Sequence, residues 1–357
     1  MDASALRAEF PVLADLAYLN AGTCGPLPHA AVRASLELLD RAASDGRAKD
    51  YVERMIDLRA RQRAAYAATL GAHESEVALT TCTSDGVVRV LAGLELGQGD
   101  EVLTASDEHP GLVGPLTTLR ERRGVELRAV PFADLADAVG PRTRLVACSH
   151  VSWVTGAVRP EGLAALDLPV LLDGAQGVGA VGFDVGSLGC TFYAGSGQKW
   201  LCGPIGSGML WVAADWHERL APIGATYVNL ENPGNALDSR PWPDARRYDA
   251  PGVAGETTAA ALAAHDALAG HGWPEVHARA AGLASLLAER LSDAGRTVAP
   301  RGETTLVSWE DGDPEATRDR LFAAGVVVRH LPGTPYVRAS VGAWNDEGDL
   351  ERLLAAL

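Results

Sequence analysis

The chain holds only two lysines among 357 residues, Lys49 and Lys199, so any amine chemistry has two candidates. Lys49 sits in the polar run SDGRAKDY, where a solvated ammonium is the natural reading. Lys199 sits in AGSGQKWLCGPIGSG, after an apolar run and a Ser-Gly-Gln turn, with a glycine-rich return behind it. A lysine that condenses with a carbonyl must first lose its proton, and a confined, partly desolvated turn favours that loss. The competing reading is a surface lysine in a loop.

Three further motifs carry groups that such a lysine could work with. Asp173 ends the apolar run PVLLD, and Gln176 follows three residues on. A carboxylate closing a buried strand is costly without a cationic partner. A protonated pyridine nitrogen would be such a partner, and the carboxylate would keep that ring electron-poor; an acidic cap or turn is the alternative. In TTCTSDGVVRV, Thr83 and Ser84 stand where a strand gives way to a helix that Asp85 and Gly86 open. Exposed N–H groups and the helix dipole there suit a phosphate, although Ser84 would equally make an ordinary cap. His109, in SDEHPGLVGPL, could lie flat on an aromatic ligand or carry a proton, or be structural.

The segment GVGAVG matches the dinucleotide pattern GxGxxG at Gly177, Gly179 and Gly182. The residues that follow, VGFDVGSLG, do not open a helix, and no acidic residue lies about twenty positions on to hold a ribose. A nicotinamide-dependent oxidoreductase is therefore disfavoured.

The elements that must position these groups follow from the pattern of apolar residues. Between residues 76 and 212, β-rich runs (EVALTT, EVLTAS, VELRAVPF, RTRLVACSH, PVLLD, CTFYAG, GMLWV) alternate with helical stretches. That alternation predicts an α/β fold with a mostly parallel sheet flanked by helices, and ligands gather beyond the carboxyl ends of such strands. Helices are expected over about 29–46 and 51–70, preceded by an extended arm punctuated by Gly22, Gly25, Pro26 and Pro28. Helices at about 256–270 and 274–294, the strand candidates LVSWE, VVVR and YVRASVG, and a last helix from about 346 predict a smaller α/β unit. The expected organisation is an arm, 1–28, associated with the small domain and the active site, a large domain, 29–245, and a small C-terminal domain, 246–357.

The net charge of −15 argues against nucleic acid and anionic membrane as partners and leaves small molecules and proteins. Five cysteines, Cys24, Cys82, Cys148, Cys190 and Cys202, contain no CxxC pair, so neither a disulfide framework nor a metal site is expected. No apolar run is long enough for a membrane span, and MDASALRAEF lacks the pattern of a secretion signal, so a cytoplasmic protein is expected.

Together the motifs resemble the class V aminotransferase family of pyridoxal-phosphate enzymes, of fold type I, in which DGAQ and SG-x-K are spaced much as here. The resemblance covers nearly the whole chain. Within the family, AGTCGPLP, EHPG, SHVSWVTG, GQKWLCGP and VVVRHLPGTPYVRAS are most similar to the cysteine and cystine C–S lyases. This resemblance implies pyridoxal 5'-phosphate held by Lys199 as a Schiff base, Asp173 at the ring nitrogen, Gln176 at the ring hydroxyl and His109 stacked on the ring. It also implies Thr83, Ser84, Asp85, Ser196 and Gln198 around the phosphate, with Gln198 where many relatives have histidine. Arg338 would clamp the substrate α-carboxylate, Arg329 would hold a second carboxylate or line the entrance, and Trp153 would stand near the place of a desulfurase asparagine. For Arg329 a surface ion pair is the competing reading. A homodimer is implied in the same way.

The activity so implied is a C–S β-lyase, eliminating a sulfur group from cystine, cysteine or an S-conjugate to give pyruvate and ammonia, with Lys199 as the base at Cα. Transamination and epimerisation begin with the same proton loss and stay open as alternatives. An epimerase needs a second acid, for which Cys202 is the candidate, a small buried filler being its plainer role. No cysteine lies between Arg329 and Arg338, which disfavours sulfur transfer through a protein persulfide on that loop. The stretch RRYDAPGVAGETT lacks a Gly-Thr pair that many relatives use on a neighbouring phosphate; Thr257 or Thr258 could replace it. A non-catalytic module is the reading from another class, and the intact Lys199, Asp173 and Arg338 set argues against it.

Overall fold

A computed structural model describes residues 1–357. The arm holds α1 (Ala3–Ala8) and β1 (Ala17–Tyr18), and α2 (His29–Ser44) and α3 (Lys49–Leu70) follow. Then come β2 (Val77–Thr80), α4 (Thr83–Gly93), β3 (Glu101–Ala105), α5 (Pro110–Arg123), β4 (Glu126–Val130), β5 (Thr143–Ser149), β6 (Val170–Asp173), β7 (Phe192–Ser196) and β8 (Gly208–Val212). The chain closes with α6 (Gly255–Ala269), α7 (Trp273–Asp293), β9 (Leu306–Glu310), α8 (Pro314–Ala323), β10 (Val326–Val327), β11 (Arg329–His330), β12 (Tyr336–Ser340) and α9 (Glu347–Ala356).

Strands β2 to β8 form one seven-stranded sheet in the order β2-β8-β7-β6-β5-β3-β4. Strands β3 to β7 pair in parallel, whereas β8 runs antiparallel to both β2 and β7. Neighbouring residues of a strand point to opposite faces, and the two faces enter two separate cores. Leu103, Val146, Leu172 and Tyr193 pack on one side, while Val102, Leu145, Leu171 and Phe192 pack on the other. This double burial is what the unbroken apolar runs in the sequence require.

A second sheet, β11-β12-β9, is antiparallel, and β1 of the arm pairs in parallel with β10 beside it. Its apolar face joins α7 and α9 in a further core with Leu19, Leu287, Val307, Trp309 and Leu350. The arm thus belongs structurally to this C-terminal sheet. Helix α6 lies beyond residue 245 yet packs across α2 and α3.

One local boundary differs from expectation. Helix α3 begins at Lys49, whose ammonium pairs with Glu53 one turn on at 3.6 Å, so Lys49 is helical surface. Helix α5 begins at Pro110 with His109 as its cap. No helix is long and apolar enough to cross a membrane.

Candidate active site

The carboxyl ends of β5, β6 and β7 bring Ser149, Asp173 and Ala194 side by side in register, at the middle of the large sheet. Asp173 is buried, and one of its oxygens accepts from the Ala175 N–H at 3.0 Å. Burial pushes its carboxyl above the usual range, and the Lys199 charge pulls it back.

Lys199 stands in the turn after β7. The arm crosses this turn, with the Gly25 N–H donating to the Gln198 carbonyl at 2.8 Å and the Cys202 N–H closing on the Lys199 carbonyl at 3.1 Å. A Cβ at Gly25 would collide with that same Lys199 carbonyl, so only glycine allows the approach. Cys202 sits in the left-handed region, φ 53°, which turns the chain sharply after the lysine. Burial lowers the Lys199 ammonium to about 8, opposed by Asp173 and aided by Arg338 and Arg329. A neutral amine is therefore accessible near physiological pH.

On one side of Lys199 lies the start of α4. Ser196 Oγ accepts from the Thr83 N–H at 3.0 Å and hydrogen-bonds to Thr83 Oγ1 at 2.7 Å, while the N–H groups of Ser84 and Asp85 find no acceptor within the chain. Gln198 Oε1 is buried nearby in sequence without a partner. Asp85 can meet a phosphate only through its backbone. Its carboxylate is turned away, accepting from Thr81 N at 2.9 Å, Thr81 Oγ1 at 3.1 Å and Arg89 Nε at 2.9 Å, and an anion there would repel a phosphate. Asp85 has only its backbone N–H to offer.

His109 caps α5, its Nδ1 accepting from the Gly111 N–H at 2.9 Å, which assigns the ring proton to Nε2. Burial, with Lys199, Arg329 and Arg338 nearby, pushes the imidazole down to about 4, so it is neutral at working pH. Its ring meets Trp153 edge-on, centroids 5.1 Å apart. Trp153 Nε1 donates to the Asp107 carbonyl at 2.7 Å, so the indole offers no free polar atom to a substrate. Gln176 is fixed at both ends of its amide, Nε2 donating to the Gly22 carbonyl at 2.8 Å and Oε1 accepting from Trp200 Nε1 at 3.0 Å. One amide N–H of Gln176 remains for a ligand acceptor.

Arg338, on β12, is buried with no carboxylate partner. Its Nη1 donates to the Trp153 carbonyl at 2.6 Å and its Nε has no acceptor. Burial and the neighbouring Arg329 push its pKa down to about 9. A guanidinium left in that state is a receptor for an anion. Arg329, its register partner on β11, donates to Thr23 Oγ1 at 3.2 Å and makes no ion pair, which overturns the surface-pair reading.

Sequence reasoning passed over the arm residue Gly22 and the buried Ser340. A Cβ at Gly22 would fall 2.7 Å from Ser340 Oγ, 2.9 Å from Arg338 Nη2 and 3.0 Å from Gln176 Oε1, so the arm lies directly on the arginine. The dense glycines of AGTCGP were the only signal. Thr258 is back-bonded to the Ala254 carbonyl at 3.2 Å and is not available to a ligand. Cys202 is buried, its thiol pushed well above the usual range by that burial.

These residues fit a ligand with a phosphate, a carbonyl and a basic ring nitrogen. Unused N–H groups meet the first, an amine with a lowered pKa the second and a buried carboxylate the third. The fold and these residues thus define an α/β protein with free N–H groups at one end of the cluster and a buried guanidinium free of carboxylates at the other. The chain belongs to the class V aminotransferase family, whose profile matches residues 17–353. A probable cysteine desulfurase of Methanothermobacter thermautotrophicus is 32% identical over 66% of this chain and 63% of its own, so the matched part spans less than two thirds of that relative. The isopenicillin N epimerase of Amycolatopsis lactamdurans is 30% identical over 95% of this chain and 94% of its own. Among solved structures, the C-DES mutant with glycine covalently linked to its PLP cofactor superposes with a TM-score of 0.92 at 27% identity, covering 98% of each chain. The cystine C-S lyase C-DES with its product cysteine persulfide superposes at 0.90, also at 27% identity, covering 97% of this chain and 98% of its own.

Proposed function

We propose that the protein is a pyridoxal-phosphate-dependent C–S β-lyase acting on cystine, cysteine or an S-conjugate. The observation that carries this reading is the closeness of a readily neutralised Lys199 to the buried guanidinium of Arg338, which has no carboxylate partner and an orphaned Nε. The likeness to the cystine lyase C-DES along almost the full chain supports the substrate class.

When bound, the cofactor supplies a carbonyl for the amino group and a ring that accepts electrons from Cα. Asp173 would hold the ring nitrogen protonated, and Gln176 has one amide N–H left that would serve a ring oxygen. Thr83, Ser84, Ser196, Gln198 and the Asp85 N–H would hold the phosphate at the start of α4. His109, neutral, would pack against the ring. Arg338 binds the substrate α-carboxylate, with Trp153 orienting it through its carbonyl, and Arg329 meets a second carboxylate at the entrance. Lys199 then takes the Cα proton as a neutral amine. Loss of the sulfur group at Cβ leads to pyruvate and ammonia after hydrolysis.

An epimerase would need a second acid, and Cys202 is a poor one with its thiol buried and its pKa raised. A homodimer is supported by α2, which exposes Val32, Leu36 and Leu39 at helical spacing, beside exposed Val52 and Ile56 of α3. Five free cysteines fit a cytoplasmic setting. The test is incubation of the loaded protein with cystine and no keto acid: pyruvate and sulfane sulfur should appear in step. Turnover that requires a keto acid, or yields only the inverted amino acid, would reject the lyase.

A further inference from the structure

Glu108 takes no part in the chemistry above, yet it is a buried carboxyl next to His109 and close enough to Asp173 to feel its charge. It precedes His109 in the segment between β3 and α5. One of its oxygens accepts from the Ser149 N–H at 2.7 Å and the other from Ser149 Oγ at 2.6 Å. Ser149 ends β5 and stands in register with Asp173. The residue before it is also tied, since the Asp107 carbonyl accepts from Trp153 Nε1. The His109 ring itself has a single hydrogen bond, from the Gly111 N–H, and its edge contact with Trp153. The orientation of that ring is therefore inherited from the segment just before it. A buried carboxyl is an expensive way to fasten a loop, because an apolar side chain would fill the space at lower cost.

We propose that Glu108 is a positioning residue, which clamps the segment 106–109 to Ser149 and so sets the height and tilt of the His109 ring against the cofactor. This rests on the reading that the site holds pyridoxal phosphate. The clamp keeps two holds in either protonation state: a protonated Glu108 oxygen can donate to Ser149 Oγ while the other still accepts from the Ser149 N–H. The groups around it are Asp173 on β6, Asp107 on its own segment and Cys148 on β5, none of them cationic. Burial first, and then the charges of Asp173 and Asp107, push the Glu108 carboxyl up to about 7.

The test uses the full chain loaded with pyridoxal phosphate and the variants Glu108→Ala and Ser149→Ala. Both should bind the cofactor with the normal absorption band but show weakened visible circular dichroism from it. For both, kcat should fall on the order of 10-fold while KM changes less than about 2-fold. Glu108→Gln, whose amide can accept from the Ser149 N–H and donate to Ser149 Oγ, should restore most of both readouts. Should Glu108→Ala fail to fold, Ser149→Ala alone decides through the dichroism and the split between kcat and KM. Unchanged dichroism and kcat would overturn the clamp while leaving the cofactor reading intact. Absence of the band from wild-type protein would overturn both.

Discussion

Arg338 is a buried cation and Lys199 a half-buried one, neither with a carboxylate in contact, and they respond in opposite ways. The lysine can shed its charge, with a pKa of about 8, while the guanidinium keeps its charge and waits for an anion. Arg338→Lys should lower kcat/KM on the order of 100-fold, mostly through KM, because a point charge cannot reproduce the two-pronged contact with a carboxylate. Steady-state kinetics with cystine would check it, and an unchanged KM would place the carboxylate elsewhere. For the protein free of cofactor, the rate of condensation with pyridoxal phosphate should rise with pH up to about 8 and then level, as Lys199 becomes neutral. Stopped-flow absorbance across that range reads it directly. Lys199 and Asp173 were legible because lysine is rare in this chain and a carboxylate closing an apolar run is conspicuous. For Asp85, the i,i+4 spacing to Arg89 was the signal that its side chain makes an ion pair and leaves only the backbone for a ligand. Glu108 was missed because its partner, Ser149, is far away in sequence and no local pattern encodes that meeting.

Each end of the cofactor depends on an element presenting backbone. The start of α4 is finished by Ser196 from a different strand, so Ser196→Ala should weaken cofactor binding and cost about 1 kcal/mol of stability, as loss of a helix cap does. Equilibrium dialysis and a denaturant melt separate the two effects, and wild-type affinity in the variant would remove Ser196 from the cradle. The strands themselves were legible because a doubly buried strand is an unbroken apolar run. Their directions and partners were not: nothing in GMLWV marks β8 as antiparallel, and nothing in Ala17–Tyr18 names β10 as its neighbour. Side-chain periodicity reports which face is buried and carries no address for the strand alongside. The same gap hid the arm, whose Gly22 lies on Arg338 only because β1 is fastened to the C-terminal sheet.

At the scale of the molecule, burial of two carboxyls beside each other links stability to pH. Asp173 and Glu108 both have raised folded pKa values, so their contribution to stability is present below the unfolded carboxyl range and is lost as pH rises through the folded values. For Glu108 that window runs from about 4.5 to about 7. The cofactor-free protein should therefore melt at progressively lower temperature across it, with Glu108→Gln flattening the trend; a melt that is already flat in the wild-type protein would contradict the assignment. Assembly is tested separately. Leu36→Glu with Leu39→Glu should convert a dimer to a monomer in analytical ultracentrifugation, and a wild-type profile would exclude α2 as the contact.

The central claim is that Lys199 carries the cofactor, and having only one other lysine makes the decisive measurement simple. The protein loaded with pyridoxal phosphate is reduced with borohydride, digested, and its peptides weighed by mass spectrometry. One pyridoxyl group per chain on the peptide containing Lys199, and none on that containing Lys49, is the predicted result. Label on Lys49, or no label at all from a protein that retains activity, would contradict it.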